Sequence, residues 1–350
     1  MHRVCIVGAG IGAEHASGYA TLPDSFAIHS ICDLDAARGR RLADEYGAGF
    51  TADLNDVLSD PTVDILDICL PPHLHFRACM AALDAGKKVI CEKPLATSLA
   101  EADALAARLA ETSGFLSPVF QYRYGIGASQ LHALMQAGLA GSFFTGSLET
   151  HWDRDSAYYG NGWRGTWAGE QGGAVLTHAI HIHDLLTAFL GPVAQVQAVL
   201  ATRVNDIEVE DCAALVITME SGAPVTSSVT LGAAGNTSRL RLLFEGFTVE
   251  SDHAPYAPAA APWHFTARAP SEQRAIDDVL ASVRPVKNGY AGMFAAVADA
   301  LAGRGGREVT LVDGRRSLEF VTAVYHAART GVPAALPLDS SHPLYGGWMP

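Results

Sequence analysis

The first third of the chain alternates short, nearly continuous apolar runs with stretches of helical spacing. Arg3 to Val7 is apolar, breaks at Gly8-Ala9-Gly10, and gives way to an apolar periodicity at Ile11, Ala16 and Tyr19, which reads as strand, tight turn and helix. A second strand, Ala27 to Cys32, ends in Asp33. Asp35 then predicts the cap of a helix that runs through Tyr46 and stops at Gly47, and Asp53 opens a shorter helix before Pro61. Val63 to Leu70 is apolar enough for a strand covered on both faces. Pro71-Pro72-His73-Leu74-His75 starts the next helix, which ends at Ala85-Gly86, and the strand Val89-Ile90-Cys91 delivers Glu92-Lys93-Pro94. Ser98 and Glu101 form a capping-box pattern for a helix through Glu111, and Phe115 to Gln121 closes the sheet. Strand and helix in alternation predict a parallel sheet with right-handed crossovers. Ligands of such sheets bind beyond the carboxyl ends of the strands, where Gly8, Asp33, Pro71, His75 and Lys93 all fall.

After Tyr122 the pattern changes. Ser129 to Ala137 is helical in spacing, Phe143 to Trp152 alternates like a strand, and Asp153 to Gly169 is a loop rich in Trp, Tyr and Gly. A helix over Ala174 to Leu190 precedes strands at Val193 to Val204, Cys212 to Glu220, Val225 to Leu231 and Arg239 to Val249, with Ser221-Gly222 as a hairpin turn. Strands in sequence without helices between them predict a mixed or antiparallel sheet, hence a second domain of α+β type. Val225-Thr226-Ser227-Ser228-Val229-Thr230-Leu231 alternates poorly, and a sheet face without helices over it calls for a partner. Asp252 to Pro262 is a proline-rich loop. Two helices, Tyr290 to Ala302 and Arg315 to Arg329, lead into a proline-punctuated tail.

Composition narrows the possibilities. The 350 residues suffice for about two domains with full cores. With 24 Lys+Arg against 37 Asp+Glu the formal charge is -13, which argues against nucleic acid or an anionic membrane as partner. No apolar run approaches the roughly 20 residues of a membrane span, and the N-terminus has no signal-peptide pattern, so a cytoplasmic location is expected. The six Cys occur singly, several inside strands, as buried small hydrophobes in a reducing compartment.

The glycine turn is the first candidate site. Gly8 permits the turn, Gly10 lets the backbone approach a pyrophosphate, Ala13 in the third slot allows close helix–strand packing, and Asp33 is placed to accept the ribose hydroxyls of an adenosine. NAD is expected rather than NADP. The Asp33 carboxylate would stand where a 2′-phosphate must go, and Leu34, Asp35 and Ala36, not Arg or Lys, follow it, although Arg38 is close in sequence.

Val-Gly-Ala-Gly with His15, then Asp33, then Leu70-Pro71-Pro72-His73-Leu74-His75, then Ala85-Gly86-Lys87-Lys88-Val89-Ile90-Cys91-Glu92-Lys93-Pro94-Leu95 resembles the Gfo/Idh/MocA oxidoreductases, relatives of glucose-fructose oxidoreductase and inositol dehydrogenase. Gly172-Gly173-Ala174-Val175-Leu176-Thr177-His178-Ala179-Ile180-His181 with Asp184 is similar to the family's second-domain helix. Trp163-Arg164-Gly165-Thr166-Trp167 resembles the loop before it. The resemblance implies an α/β chain: an N-terminal Rossmann domain with a doubly wound parallel sheet (1–121), and a C-terminal α+β domain (122–350) for substrate binding and oligomerisation, with a large, mostly antiparallel, open-faced sheet. It implies a hydride transfer between NAD(H) and a secondary hydroxyl of a sugar, cyclitol or sugar derivative, in a homodimer or homotetramer. Two other readings stay open: a redox-neutral sugar-converting enzyme that retains and recycles its NAD, and a ligand-sensing regulator without catalysis.

The same resemblance, joined to the chemistry, supplies the site. Alcohol oxidation needs a base for the hydroxyl proton and a cation or donor at the developing oxyanion. Lys93 is the family lysine near cofactor and substrate, often followed by a cis bond to proline, and His181 is the general base. Gly8, Gly10, Ile11, Gly12, Asp33, Leu70, Pro71, His75, Glu92 and Lys93 are the cofactor residues, and Arg123, Trp163, Arg164, Thr177 and Asp184 the substrate residues. Inositol dehydrogenases carry Asp four residues before that His. Thr177 stands there instead, on the face that positions i and i+4 of a helix share, and orients substrate without acting as a carboxylate base. His178, His181, His183 and Asp184 invite a metal reading, but nicotinamide chemistry needs no metal and none is expected.

Overall fold

The structure, a computed structural model, describes residues 1–112, 114–160 and 162–350; Asn161 of the aromatic loop lies outside the described residues. By spatial contacts the chain divides into two units, Met1–Val119 with Tyr290–Leu318, and Phe120–Gly289 with Glu319–Pro350.

In the first unit β1 (His2–Val7), β2 (Phe26–Cys32), β3 (Gly49–Thr51), β4 (Ile65–Ile68), β5 (Lys88–Cys91) and β6 (Leu116–Pro118) form one parallel sheet in the order β3-β2-β1-β4-β5-β6. Every residue of β4 is buried, as its unbroken apolar run requires. The order reverses between β1 and β4, which opens a crevice beyond their carboxyl ends. Local signals set the helices between them. Asp35 caps Ala36–Tyr46 by accepting from the Ala37 and Arg38 amides, and Gly47 ends it at φ +63°. The Ser98 box forms by half: Ser98 accepts from the Glu101 amide at 3.1 Å, while the Glu101 carboxylate turns to the Thr97 amide and hydroxyl at 2.8 and 2.9 Å.

Residues 290–318 belong with this unit although they follow the second domain in sequence. Phe294 stacks on Tyr19 at 3.9 Å, the Ser117 hydroxyl donates to the Val309 carbonyl at 2.8 Å, and Arg315 pairs with Asp103 at 2.5 Å.

In the second unit β7 (Phe143–Asp153), β8 (Val193–Ala201), β9 (Cys212–Met219), β10 (Pro224–Thr230), β11 (Gly232–Phe244), β12 (Phe247–Glu250), β13 (His264–Ala267) and β14 (Ala334–Ala335) form a second sheet in the order β13-β12-β11-β7-β10-β9-β8-β14. β7 and β10 run parallel and the other neighbours antiparallel. The strand expected over Arg239 to Val249 is two strands. Gly246 breaks it, because its amide bonds the Ala140 carbonyl at 2.9 Å and a Cβ there would lie 1.9 Å from the Leu139 carbonyl oxygen. β10 alternates better than its letters suggest: Val225, Ser227 and Val229 are buried, Thr226 and Ser228 exposed, and Ser227 sits inward because it serves a buried histidine. The helix Gln273–Ser282, β13 and β14 have no counterpart in the sequence reading, and the final helix begins at Leu311 rather than Arg315.

The expected single helix from Ala174 is a π turn over Val175–Ala179 followed by an α-helix over Ile180–Leu190. The helical stretch Trp167–Leu190 is long and apolar enough to cross a membrane, contrary to the reading of the sequence, but 78% of its most apolar window is buried inside the fold.

Candidate active site

The glycine turn occupies the crevice of the parallel sheet. Gly8 has φ +103°, and a Cβ there would meet the Cys69 carbonyl oxygen at 2.4 Å, so only glycine fits. Nothing lies within 4 Å of a Cβ built on Gly10, which leaves room over its backbone, and Ile11 is 42% exposed beside it. Close packing falls to Gly12, not Ala13. A Cβ on Gly12 would stand 2.6 Å from the Ile6 side chain, so the third glycine function sits one residue earlier than the spacing suggested. Asp33, at the end of β2, accepts from the Ala9 amide at 2.6 Å and the Asp35 amide at 2.7 Å, and Arg38 forks onto it at 2.8 and 3.1 Å. Burial would raise the Asp33 carboxyl, but the Arg38 bond and the two amides outweigh it and hold it below the ordinary carboxylate range.

Beneath the turn lies a buried polar cluster. His15 sits between two carboxylates, with Nδ1 at 2.8 Å from Asp67 and Nε2 at 3.1 Å from Glu92, and the Cys69 sulfur is 3.4 Å from Nδ1. Burial alone would push the His15 imidazole down; Asp67 and Cys69 outweigh it, and its pKa stands well above the ordinary value. Ligand-type atoms of His15, Asp67 and Cys69 lie within 4.8 Å of one another, a grouping that positions 15, 67 and 69 do not announce. The sequence reading, which found metal spacing only around His178, missed it because the sheet, not the spacing, brings these residues together.

Glu92 links that cluster to Lys93. One Glu92 oxygen faces His15 and accepts from the Tyr290 hydroxyl at 3.3 Å, and the other accepts from the Lys93 amide at 3.0 Å. Lys93 is half-buried and its bond to Pro94 is cis. His75 is fully buried, with Nδ1 at 2.6 Å from the Pro94 carbonyl and Nε2 at 2.7 Å from the Leu70 carbonyl. Burial prevails over those two carbonyls and lowers its pKa. Its ring is spent on the backbone, so it shapes the Leu70-Pro71 and Lys93-Pro94 segments that border the crevice, while His73 is exposed.

The second unit gathers the substrate candidates around the helix Ile180–Leu190. His181 is 5% exposed, lies face to face with Tyr122 at 4.7 Å and meets the edge of Phe120 at 6.1 Å. The Thr177 hydroxyl donates to the Gly173 carbonyl at 2.9 Å and lies 2.7 Å from His178 Nδ1. With its proton on Gly173, that oxygen takes the imidazole proton, which makes Nε2 the basic nitrogen of His178. The π turn removes the regular i, i+4 relation between Thr177 and His181 on which the sequence reading relied. Arg123 and Asp184, both expected to touch substrate, form a two-pronged ion pair at 2.6 and 2.7 Å. His183 points away from the others, to the Ser227 hydroxyl at 2.8 Å, and burial pushes its pKa down to about 3. With His183 on Ser227 and Asp184 on Arg123, the histidine cluster does not converge on one metal position.

Glu210, unnoticed in the sequence, holds the start of this helical segment. Its carboxylate accepts from the Gly173 and Val175 amides and from the Tyr325 hydroxyl, each at 3.1 Å, and its carbonyl accepts from the Ala174 amide at 2.8 Å. Burial raises its pKa, against those bonds, to about 7. The aromatic loop lies alongside. The Arg164 guanidinium covers Tyr158 and Trp163 at 4.1 and 4.6 Å, and Trp152 and Tyr158 approach His178 at 5.0 and 5.8 Å.

A glycine turn at the reversal point of a doubly wound sheet, with an acidic residue ending β2, defines a dinucleotide-binding protein. A family model described as "Oxidoreductase family, NAD-binding Rossmann fold" matches residues 2–120, and one described as "GFO/IDH/MocA C-terminal domain" matches residues 128–271. The chain belongs to the Gfo/Idh/MocA oxidoreductase family. Levoglucosan dehydrogenase from Pseudarthrobacter phenanthrenivorans is 28% identical over 214 residues, 57% of this chain and 54% of that protein. D-glucoside 3-dehydrogenase from Escherichia coli is 30% identical over 145 residues, 41% of each chain. The chain thus spans about half the length of the curated relatives it matches. The WlbA dehydrogenase from Bordetella pertussis, in complex with NADH and UDP-GlcNAcA, shares the fold with a TM-score of 0.84 and 28% identity over 96% of this chain and 99% of that one.

Proposed function

We propose that the chain is an NAD-dependent dehydrogenase that moves a hydride between a secondary hydroxyl of a sugar, cyclitol or sugar derivative and NAD(H). The observation that carries this reading is the crevice between β1 and β4, where the open backbone of Gly10, the exposed Ile11 and the Asp33 carboxylate surround one space at the strand ends. Supporting it, relatives are named for levoglucosan and D-glucoside oxidation, and a related structure holds NADH with a nucleotide sugar.

Bound there, NAD supplies the hydride acceptor. The Gly8–Gly12 backbone and the helix start receive the pyrophosphate, and Asp33 receives the adenosine ribose. Asp33 also disfavours a 2′-phosphate, so NAD is preferred to NADP. Lys93, oriented through Glu92, stabilises the developing oxyanion, and His181 takes the hydroxyl proton. Thr177, Trp163 and Arg164 bound the sugar, and the Arg123–Asp184 pair holds the helix that carries His181.

The test is a panel of monosaccharides, cyclitols and anhydrosugars offered with NAD and with NADP while absorbance of the reduced nicotinamide is followed. Reduction with NAD at a higher kcat/KM than with NADP is expected. A panel in which no sugar or cyclitol reduces either nicotinamide sinks the proposal.

A further inference from the structure

Within the second unit two arginines differ from the rest. Arg123 is answered in full by Asp184, and Arg239 by Glu149 and Glu250. Among the described residues, by contrast, no carboxylate lies within ion-pair distance of Arg154. Its guanidinium lies over the Trp152 ring at 4.6 Å and the Tyr158 ring at 4.8 Å, donates to the Asp153 carbonyl at 2.6 Å and the Tyr256 hydroxyl at 2.9 Å, and touches Asn236 at 3.5 Å. Its Nε is sealed from solvent and has no acceptor. Arg164 covers the same Tyr158 ring, donates to the Tyr158 hydroxyl, and reaches Glu170 only at 3.5 Å, because Glu170 gives its other oxygen to the Gly165 amide at 2.7 Å.

Two guanidiniums on one tyrosine, with a single distant carboxylate between them, leave positive charge unanswered. Cation–π contact offsets part of the cost of desolvating them, and an oxyanion would offset far more through charge-assisted bonds, including one to the orphaned Nε. The position matters as much as the charge. Trp152, on which Arg154 lies, meets His178 at 5.0 Å, and His178 precedes His181 by three residues.

We propose that Arg154 and Arg164 form an anion-recognising subsite and that the substrate is an acidic sugar, bearing its carboxylate or phosphate at this end. The inference rests on the dehydrogenase reading only for the word substrate; the subsite itself is a matter of binding. An arginine fork over an aromatic ring matches a planar carboxylate or a phosphate and gives a neutral hydroxyl much less.

The experiment uses the full chain with NADH added and measures binding by calorimetry for D-glucuronate, D-galacturonate and D-glucose 1-phosphate, each against neutral D-glucose and D-galactose. An acidic sugar should bind at least about tenfold more tightly than its neutral counterpart, the usual margin of a charged hydrogen bond. Arg154→Met, which keeps bulk against Trp152, should weaken the acid about tenfold to hundredfold and the neutral sugar hardly at all, and Arg154→Lys should restore part of the loss. The uronate and phosphate arms show which oxyanion is recognised. Equal binding of acidic and neutral sugars, binding of no probe, or an Arg154→Met variant with a lower melting temperature and unchanged acid preference overturns the subsite. Nicotinamide reduction followed in parallel separates the two claims. Acid binding that depends on Arg154 but never yields reduced nicotinamide leaves the subsite and removes the dehydrogenase, whereas oxidation of neutral sugars without acid preference does the reverse.

Discussion

At the scale of single residues the question is which imidazole takes the proton. His181 is assigned the role, so kcat/KM for alcohol oxidation should fall as pH drops through an ionisation of the enzyme near neutrality. His181→Ala should abolish that limb and cost about 10²- to 10⁴-fold. Near wild-type activity with an unchanged profile would transfer the role to His178, whose Nε2 is left basic by the Thr177 contact. Lys93→Ala should lower kcat, and Lys93→Met, which keeps the stem, should recover nothing if the charge matters and most of the loss if only packing does. Cofactor choice is a second matter at this scale. Asp33→Ser should narrow the preference for NAD, read as the ratio of kcat/KM for the two nicotinamides, although Asp33 also braces the Ala9 amide and some loss with both is expected. The glycine turn, Asp33 and Lys93 were legible in the sequence because each lies at the end of a recognisable strand. The partners of Arg123, Asp184 and His75 were not, because a charge or a ring nitrogen in a sequence does not say what it faces in the fold.

The element on which the substrate half depends is the helical segment from Gly173 to Leu190, and its start is set by Glu210 from far along the chain. A carboxyl whose folded pKa is raised to about 7 keeps its proton where the unfolded chain has lost it. Its contribution to stability is therefore fully present below the ordinary carboxylate value and is lost as pH rises through about 7, by an amount on the order of 3 kcal/mol. Glu210→Gln should flatten this decline. Urea midpoints at mildly acidic and mildly alkaline pH should differ less in the variant than in the parent, and an equal difference would refute the assignment. The sequence pattern sufficed to place a helix here, since apolar spacing survives a local change of winding. It did not show the π turn, whose extra residue alters the face and not the periodicity of the neighbours.

For the whole molecule, the outward face of the second sheet decides assembly. Val199 is 68% and Val216 53% exposed on adjoining strands, among Ser147, Ala214, Thr226 and Ser228, around a depression of about 520 Å³. We propose that a second copy covers this face, giving a homodimer or homotetramer. Light scattering at micromolar concentration should return a multiple of the chain mass of 36.9 kDa, and Val216→Lys should reduce it; a monomer in the parent protein rules the proposal out. By itself the sequence determined the two kinds of sheet, the glycine turn, and the strand ends that carry Asp33 and Lys93, because periodicity, caps and turn residues act over neighbouring positions and are written in order along the chain. Only the tertiary structure decided that residues 290–318 return to the first sheet, that His15, Asp67, Cys69 and Glu92 meet in one buried cluster, and that Arg123 is answered while Arg154 is not. Those outcomes depend on contacts between residues far apart in the chain, which burial and the satisfaction of charge select and which no local pattern encodes.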